Sequence, residues 1–427
     1  MTHPAGDKEA TVLSWIDSRR SFIIELLQRL IRIPSVYPHE REAQELVSRS
    51  MAGLCDALDI WEPDAALLDA HPAYFAKGQS FSGRPNVVGL LKGQGRGQSL
   101  LLNAHIDVVP PQPDSDWDYA PWSGALVDGF IYGRGSLDDK SGVAIMIAVA
   151  AALRENGVAL RGDLELHSVV DEEWGGAGTL ACMQRGHRAE AGIILEPVGP
   201  HLYPASRGGQ AFLVTVQGKG AHPGASWTGV SALEKAIPII QGLKAFEAER
   251  QIQWRSPLFA DYPIFAPIVV GKISADNIPS KVPEQCLFEG LYGYMPQEHW
   301  TEARRVFEQR VAALADQDPW LKEHPPIVSW QGLNKEGAEI PTDHPLVACM
   351  KQAIGEASGI PPRVMGFPAG TDLPLLVRYG PVPSVLYGVS GDWGLEHSSN
   401  ERVEVETLIE TTRCVALAAM RWCGVAT

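Results

Sequence analysis

The stretch "SGVAIMIAVAAALREN" at residues 141–156 constrains this chain more than any other. Its apolar residues run almost all the way round a helical wheel, so such a helix must be covered on every side by other parts of the protein. Only a chain with a sizeable core can supply that cover, and 427 residues with 45% hydrophobic content are enough for two domains. "SLLLNAHIDVVP" (99–110) precedes the helix, and "DLELHSVV" (163–170) and "AGIILEP" (191–197) follow it, each reading as a buried strand. Strands alternating with helices predict an α/β domain around a mostly parallel sheet. Upstream, residues 12–32 carry apolar side chains at helical spacing up to Pro34, a second helical pattern spans 40–58, and "NVVGLLKG" (86–93) reads as one more strand. The glycine-rich "GQGRGQ" between that strand and the next is expected to turn a hairpin; no helix follows it, as a phosphate loop would need.

The pattern changes after "ASRGG" (205–209). "AFLVTVQGKG" alternates as a strand, 230–248 reads as a helix, "APIVVGKIS" and "EQCLFEGLYGYM" as strands, and 298–315 as a helix, which together suggest a small α+β domain. A helix at 344–357, a strand at "VPSVLYGV" and a closing helix from Val403 to Trp422 then return to the first pattern. The expected organisation is a split catalytic domain, 1–206 and 328–427, with 207–327 inserted.

Composition excludes several functions. The formal charge of −15 and the pI of about 5.3 leave no basic face for nucleic acid or an anionic membrane. Asp7, Lys8 and Glu9 interrupt the start where a secretory peptide would be apolar, and no run is long enough to span a bilayer, so a cytoplasmic protein is expected. Six cysteines lie far apart without a C-x-x-C pair, which speaks against disulfides and cysteine zinc sites.

Ligand sites in open parallel sheets gather beyond the carboxyl ends of strands. Here those ends carry charge. His105 and Asp107 share one face of their strand, and a carboxylate can fix the tautomer of a ligating histidine. Asp138 and Asp139 open the buried helix, where one aspartate would suffice as a cap. Lys140-Ser141 after them looks like part of a P-loop, but the glycine is missing and the carboxylates would repel phosphate. "HSVVDEEWGGAGT" (167–179) crowds Asp171, Glu172 and Glu173 behind a strand, a cluster that persists where water or a cation neutralises it: a solvated turn or a metal site. Glu196 ends "IILEP", and "GDWGLEHSSNERV" adds His397. Jointly these form a mixed N/O donor set suited to zinc, cobalt or manganese.

In chain order, "AHIDVVP", "DGFIYGRGSLDDKSG", "DEEWGG", "ILEP", "GKGAHPG", "DNIPS", "AGTDLP" and the His397 to Glu401 pair make the sequence resemble the M20 metallopeptidase family over most of its length. The resemblance implies a zinc-exopeptidase-like catalytic domain with an inserted α+β dimerisation (lid) domain, and two divalent metals per chain, zinc foremost, with cobalt or manganese as the other choices. Asp138 would bridge the metals, His105 and Glu196 would complete one, and Glu173 and His397 the other. Asp107 would orient His105, and Glu172 would act as general base and then acid. His222 of "GKGAHPG" would reach the active site of the partner subunit in a homodimer. Asn277, Gly370 and Thr371 would meet the substrate. Relatives carry an arginine that clamps a substrate carboxylate where this chain has Gly293, so Arg207 or Arg378 replaces it or the substrate lacks that carboxylate. Trp393 before His397 could stack on a planar ligand. The expected activity is hydrolysis of an amide C–N bond in a small molecule, as in an N-acyl amino acid deacylase or dipeptidase. The alternatives are a carbamoyl or ring-amine substrate, or a non-catalytic binding protein on the same fold.

Overall fold

The computed structural model describes residues 4–276 and 278–426. Two compact units divide the chain: the larger runs through Ala205 and resumes with Ile340–Met365 and from Thr371 onward, and the smaller is Ser206–Glu339 with Gly366–Gly370.

In the larger unit the helix Lys140–Glu155 is buried from Lys140 to Leu153, as its all-round apolar surface requires. The helices Arg20–Ile31 and Val405–Cys423 and the strand Leu100–His105 pack against it. Asp139 caps its start, accepting from Gly142 N–H at 3.1 Å. A Cβ at 142 would lie 2.5 Å from that carboxylate and 2.8 Å from Leu195 O, so glycine is what allows the helix to begin so close to the sheet.

The sheet beside this helix runs in the order Ala57–Trp61, Asn86–Leu91, Leu164–Val169, Leu100–His105, Ala191–Ile194, Ser384–Leu386 and Leu202–Ser206. Its four middle strands are parallel and its flanking pairs antiparallel. This is the expected α/β architecture. The expected hairpin is absent, because Leu164–Val169 lies between the two strands it would have joined. An apolar strand buried on both faces gains a parallel neighbour on each side this way. The glycines of the connection serve close approach instead: a Cβ on Gly97 would lie 2.0 Å from Cys423 O and 2.3 Å from Gly162 N.

Two helical expectations are also corrected. Residues 12–32 belong to two helices, Pro4–Ser18 and Arg20–Ile31, and the pattern at 40–58 is the helix Arg41–Met51 followed by the edge strand Ala57–Trp61. Gly53, at φ 81°, ends that helix, and the chain continues as an edge strand paired with Asn86–Leu91.

A third small sheet, unforeseen in the sequence, pairs Arg402–Glu404 with Phe130–Tyr132, which also pairs with Ala125–Val127. It brings the segment after His397 alongside the segment before Asp138.

Under the sheet edge, Arg84 joins two carboxylates with no exposed surface on any of the three side chains: Glu40 at 2.6 Å and Asp171 at 2.9 Å. Removing the cation would strand two buried charges. Arg84→Met should therefore cost about 3–5 kcal/mol of stability by urea denaturation, and a loss within experimental error would show that the carboxylates protonate at no cost.

In the smaller unit an antiparallel sheet runs in the order Ile268–Ala275, Gln285–Tyr294, Gly208–Gln217 and Ile327–Lys335. Helices Ala232–Gln253 and Trp300–Ala315 pack together, and Phe212, Phe288, Tyr292 and Phe307 lie in the same core. The unit extends to Glu339 rather than stopping at 327, because Ile327–Lys335 completes this sheet. All six cysteines are free, and no helix among the described residues is long and apolar enough to cross a membrane.

Candidate metal centre

His105 stands at the end of its central strand, and the cap of the buried helix meets it there, since its backbone N–H donates to Asp139 Oδ2 at 3.3 Å. Its Nδ1 lies 2.8 Å from the backbone carbonyl of Asp107, an acceptor only, so Nδ1 carries the proton. The lone pair of Nε2 then faces Asp138 Oδ1 at 2.9 Å. Two lone pairs hold that distance only with a positive centre between them. Burial alone would lower the imidazole's pKa, but Asp138 raises it well above the usual histidine range.

The other oxygen of the same carboxylate, Asp138 Oδ2, lies 3.2 Å from His397 Nε2, and that nitrogen is 3.1 Å from Glu173 Oε2. Burial would push Asp138 up, yet the two histidines hold it below the usual carboxylate range. Glu196 completes the first group: its donor atom converges with those of His105 and Asp138, as those of Glu173 and His397 converge on Asp138 from the other side. Burial pushes Glu196 well above the carboxylate range, and Glu172 and Asp138 nearby add to that. Glu173 Oε1 is buried without a hydrogen-bond partner. An unpaired buried carboxylate oxygen is costly, and the whole donor set is oxygen and imidazole nitrogen, so the residues fit a pair of divalent cations sharing Asp138.

The three acids of the DEE run occupy three different environments. Asp171, at φ 70°, turns inward onto Arg84, and its carbonyl accepts from the N–H groups of Gly175 and Gly176. Glu172 and Glu173 each donate a backbone N–H to the Asp107 carboxylate, both at 3.2 Å. Asp107 thus orients His105 through its carbonyl, whereas its carboxylate, 3.7 Å from that ring, fixes the loop carrying Glu172 and Glu173. This differs from the expected carboxylate–imidazole contact because the backbone amides need the carboxylate as an acceptor. Glu172 is half-buried and Glu173 extends to His397.

Several positioning roles were not read from the sequence. Glu401 accepts from the N–H groups of Gly135, Leu137 and Asp138 at 2.9–3.0 Å and pairs with buried Arg134. The signal was an acid four residues after His397. Glu396, beside the ligand, is raised to about 8 by burial and then by Asp138. Lys140 donates to Leu30 O and Ile33 O at 2.9 and 2.7 Å, at a helix C-terminus, and burial pulls its ammonium down to about 7. That position leaves nothing for a phosphate.

The other expected residues that the structure describes belong to neither donor group. His222, in the smaller unit, is exposed and caps the turn Pro223–Thr228, accepting from Gly224 N–H at 3.1 Å. Arg207, in the same unit, donates to the carbonyls of Pro368 and Phe265, and burial lowers it to about 10. A Cβ at Gly293 would lie 2.6 Å from Arg207 Nη1, so the arginine occupies the space a side chain there would need. A Cβ on Gly370 would meet the Lys335 side chain at 2.5 Å; Thr371 is buried, with Oγ1 accepting from Leu373 N–H at 3.2 Å. Asn277 lies outside the described residues.

The model of peptidase family M20/M25/M40 matches residues 101–421. The chain is 28% identical over 435 residues to an N-formyl-4-amino-5-aminomethyl-2-methylpyrimidine deformylase of Bacillus subtilis (strain 168), covering 96% of each chain. Among solved structures, a tripeptidase from Staphylococcus aureus subsp. aureus mu50 aligns at TM-score 0.73 and 19% identity, over 95% of this chain and 98% of that one. A dinuclear metal binding peptidase from the M20 family, from Bacillus subtilis, aligns at TM-score 0.65 and 15% identity, over 96% and 100%. These two likenesses establish the fold.

Proposed function

Since the chain belongs to peptidase family M20/M25/M40 and is a metal-dependent hydrolase of small-molecule amide bonds, we propose that it removes a formyl or other short acyl group from an amine borne on a planar ring. The observation that carries the hydrolytic assignment is Asp138, with one oxygen on His105 and the other on His397. The ring-amine substrate draws on two features. The deformylase relative matches nearly end to end, and Trp174 and Trp393, about 40% exposed, sit on the loops that carry Glu173 and His397. Such indoles suit stacking on a flat heterocycle.

In this proposal His105, Asp138 and Glu196 hold one divalent cation and Asp138, Glu173 and His397 the other. When bound, the cations lower the pKa of a water and polarise the substrate carbonyl. Glu172 takes the proton from the attacking water and returns it to the departing nitrogen. Asp107 keeps Glu172 in place through the backbone of its loop. His222 supplies a donor to the developing oxyanion from the partner of a homodimer formed through the smaller unit. Arg207 keeps its guanidinium for the carbonyls of its own unit, which suits a substrate without an α-carboxylate.

The test is turnover of N-formyl and N-acetyl aminomethyl heterocycles against N-acyl amino acids and dipeptides, on zinc-, cobalt- or manganese-loaded protein. Faster cleavage of the ring amines is expected; cleavage of amino acid derivatives alone would overturn the substrate class. His222→Ala should lower turnover about 100-fold with metal content unchanged, and mixing it with Glu172→Gln should restore part of the activity through hybrid dimers. A mixture no more active than its components would place His222 outside the partner's site.

A further inference from the structure

Among the described residues, one other group of donors converges in the larger unit. Glu165 and His167 are two apart on the strand Leu164–Val169, so both leave the same face of the sheet. The helix Ala177–Arg185 packs against that strand and ends at Gly186, whose φ of 100° turns the chain so that His187 comes back beside them. Glu165 Oε2 lies 2.7 Å from His167 Nε2 and 3.2 Å from His187 Nδ1. On the far side of that second ring, His187 Nε2 is 3.1 Å from Asp59 Oδ2. Asp59 pairs with Val88, and Val88 with His167, so the aspartate projects from the same face in the same row. Arg185 holds Asp59 with bonds of 2.6 and 2.9 Å.

This arrangement dictates where protons sit. A neutral imidazole has one N–H, and an ionised carboxylate only accepts. With the Nε2–H of His187 given to Asp59, its Nδ1 lone pair faces an oxygen of Glu165, and a positive centre must lie between them. Either a proton on His187 or a divalent cation meets that need. Against the effect of burial, Glu165 and Asp59 raise the His187 imidazole above the usual histidine range, so a cation at this place would displace that proton. Burial lowers the pKa of His167 and keeps it neutral, the state a ligand requires. The separations also match those of the catalytic cluster, where the corresponding contacts are 2.9, 3.1 and 3.2 Å. A carboxylate behind the histidine, as Asp59 is here, is the usual device that fixes the ring of a metal ligand. The last carbonyls of the helix Ala177–Arg185 add negative potential at that end.

The geometry points to a divalent-cation site formed by Glu165, His167 and His187, with Asp59 orienting His187, separate from the catalytic cluster and sharing no residue with it. Two imidazoles and a carboxylate suit a zinc-like ion, with a fourth position left to water on the His187 side, where the side chain is 18% exposed. The ion would tie the edge of the sheet to the end of a helix and has no part in turnover.

Zinc per chain is measured by elemental analysis after equilibration with zinc and desalting, for wild type and His187→Gln, and again with both in an Asp138→Ala background that breaks the catalytic pair. The expected result is one zinc equivalent dependent on His187 in both backgrounds, with turnover of the single variant within about twofold of wild type. Glu165→Gln, checked for folding by circular dichroism, should weaken zinc binding at least about tenfold. Equal zinc with and without His187→Gln, in folded protein, would overturn the site. Because Asp138 is untouched in the first pair, that failure would leave the catalytic assignment standing.

Discussion

Asp138→Asn should abolish turnover and release both catalytic cations. The substitution keeps size and removes only the charge, while two histidines contact the two oxygens of this one side chain. An amide can offer one weakly basic oxygen, so the two halves of the site cannot both be held. Stabilisation of developing charge by bound cations amounts to several kcal/mol, which corresponds to a loss of roughly a thousandfold or more. Metal content by elemental analysis should fall in step with activity. Protein that keeps two metals and wild-type turnover would remove Asp138 as the shared ligand.

Glu172→Gln should have the opposite relation between metal and activity. Glu172 is next to a ligand in sequence, and its backbone is fixed by Asp107, but its side chain is in neither donor group. Turnover should fall about 100- to 10,000-fold, the range for a positioned general base, while metal content and thermal stability stay at wild-type values. KM should change little. Loss of metal in this variant would make Glu172 a ligand, and unchanged kcat would leave the proton transfer to another group.

Much of this architecture was legible because it rests on periodicity and on charge at strand ends. The helix Lys140–Glu155 and the central strands follow from apolar runs too long and too symmetric to be exposed. His105, Asp138, Glu173 and Glu196 stood out as charge at strand ends and His397 as a histidine near the C-terminus, and the resemblance to the M20 family implied their division between two metals. Strand neighbours were not legible: Asn86–Leu91 and Leu100–His105 are adjacent in sequence and apart in the sheet, since pairing depends on which strand arrives between them. The role of Glu401, a residue named in the resemblance, escaped for a similar reason. Its role lies in accepting three backbone N–H groups from a segment far away in sequence, and side-chain chemistry alone carries no mark of that. The H-x-D pattern suggested a side-chain contact between Asp107 and His105; the carboxylate lies 3.7 Å from the ring, and the peptide carbonyl, which sequence chemistry does not mark, is the nearer acceptor.

The small sheet joining Arg402–Glu404 to Phe130–Tyr132 bears on how the protein is born. On the ribosome His105, Asp138, Glu173 and Glu196 emerge early, and at about 5–20 residues per second His397 follows Glu196 only after roughly 10–40 s. Through that interval the chain carries His105, Asp138, Glu173 and Glu196 without His397, so the donor group Asp138, Glu173 and His397 closes only in the final stretch of synthesis, when the small sheet forms.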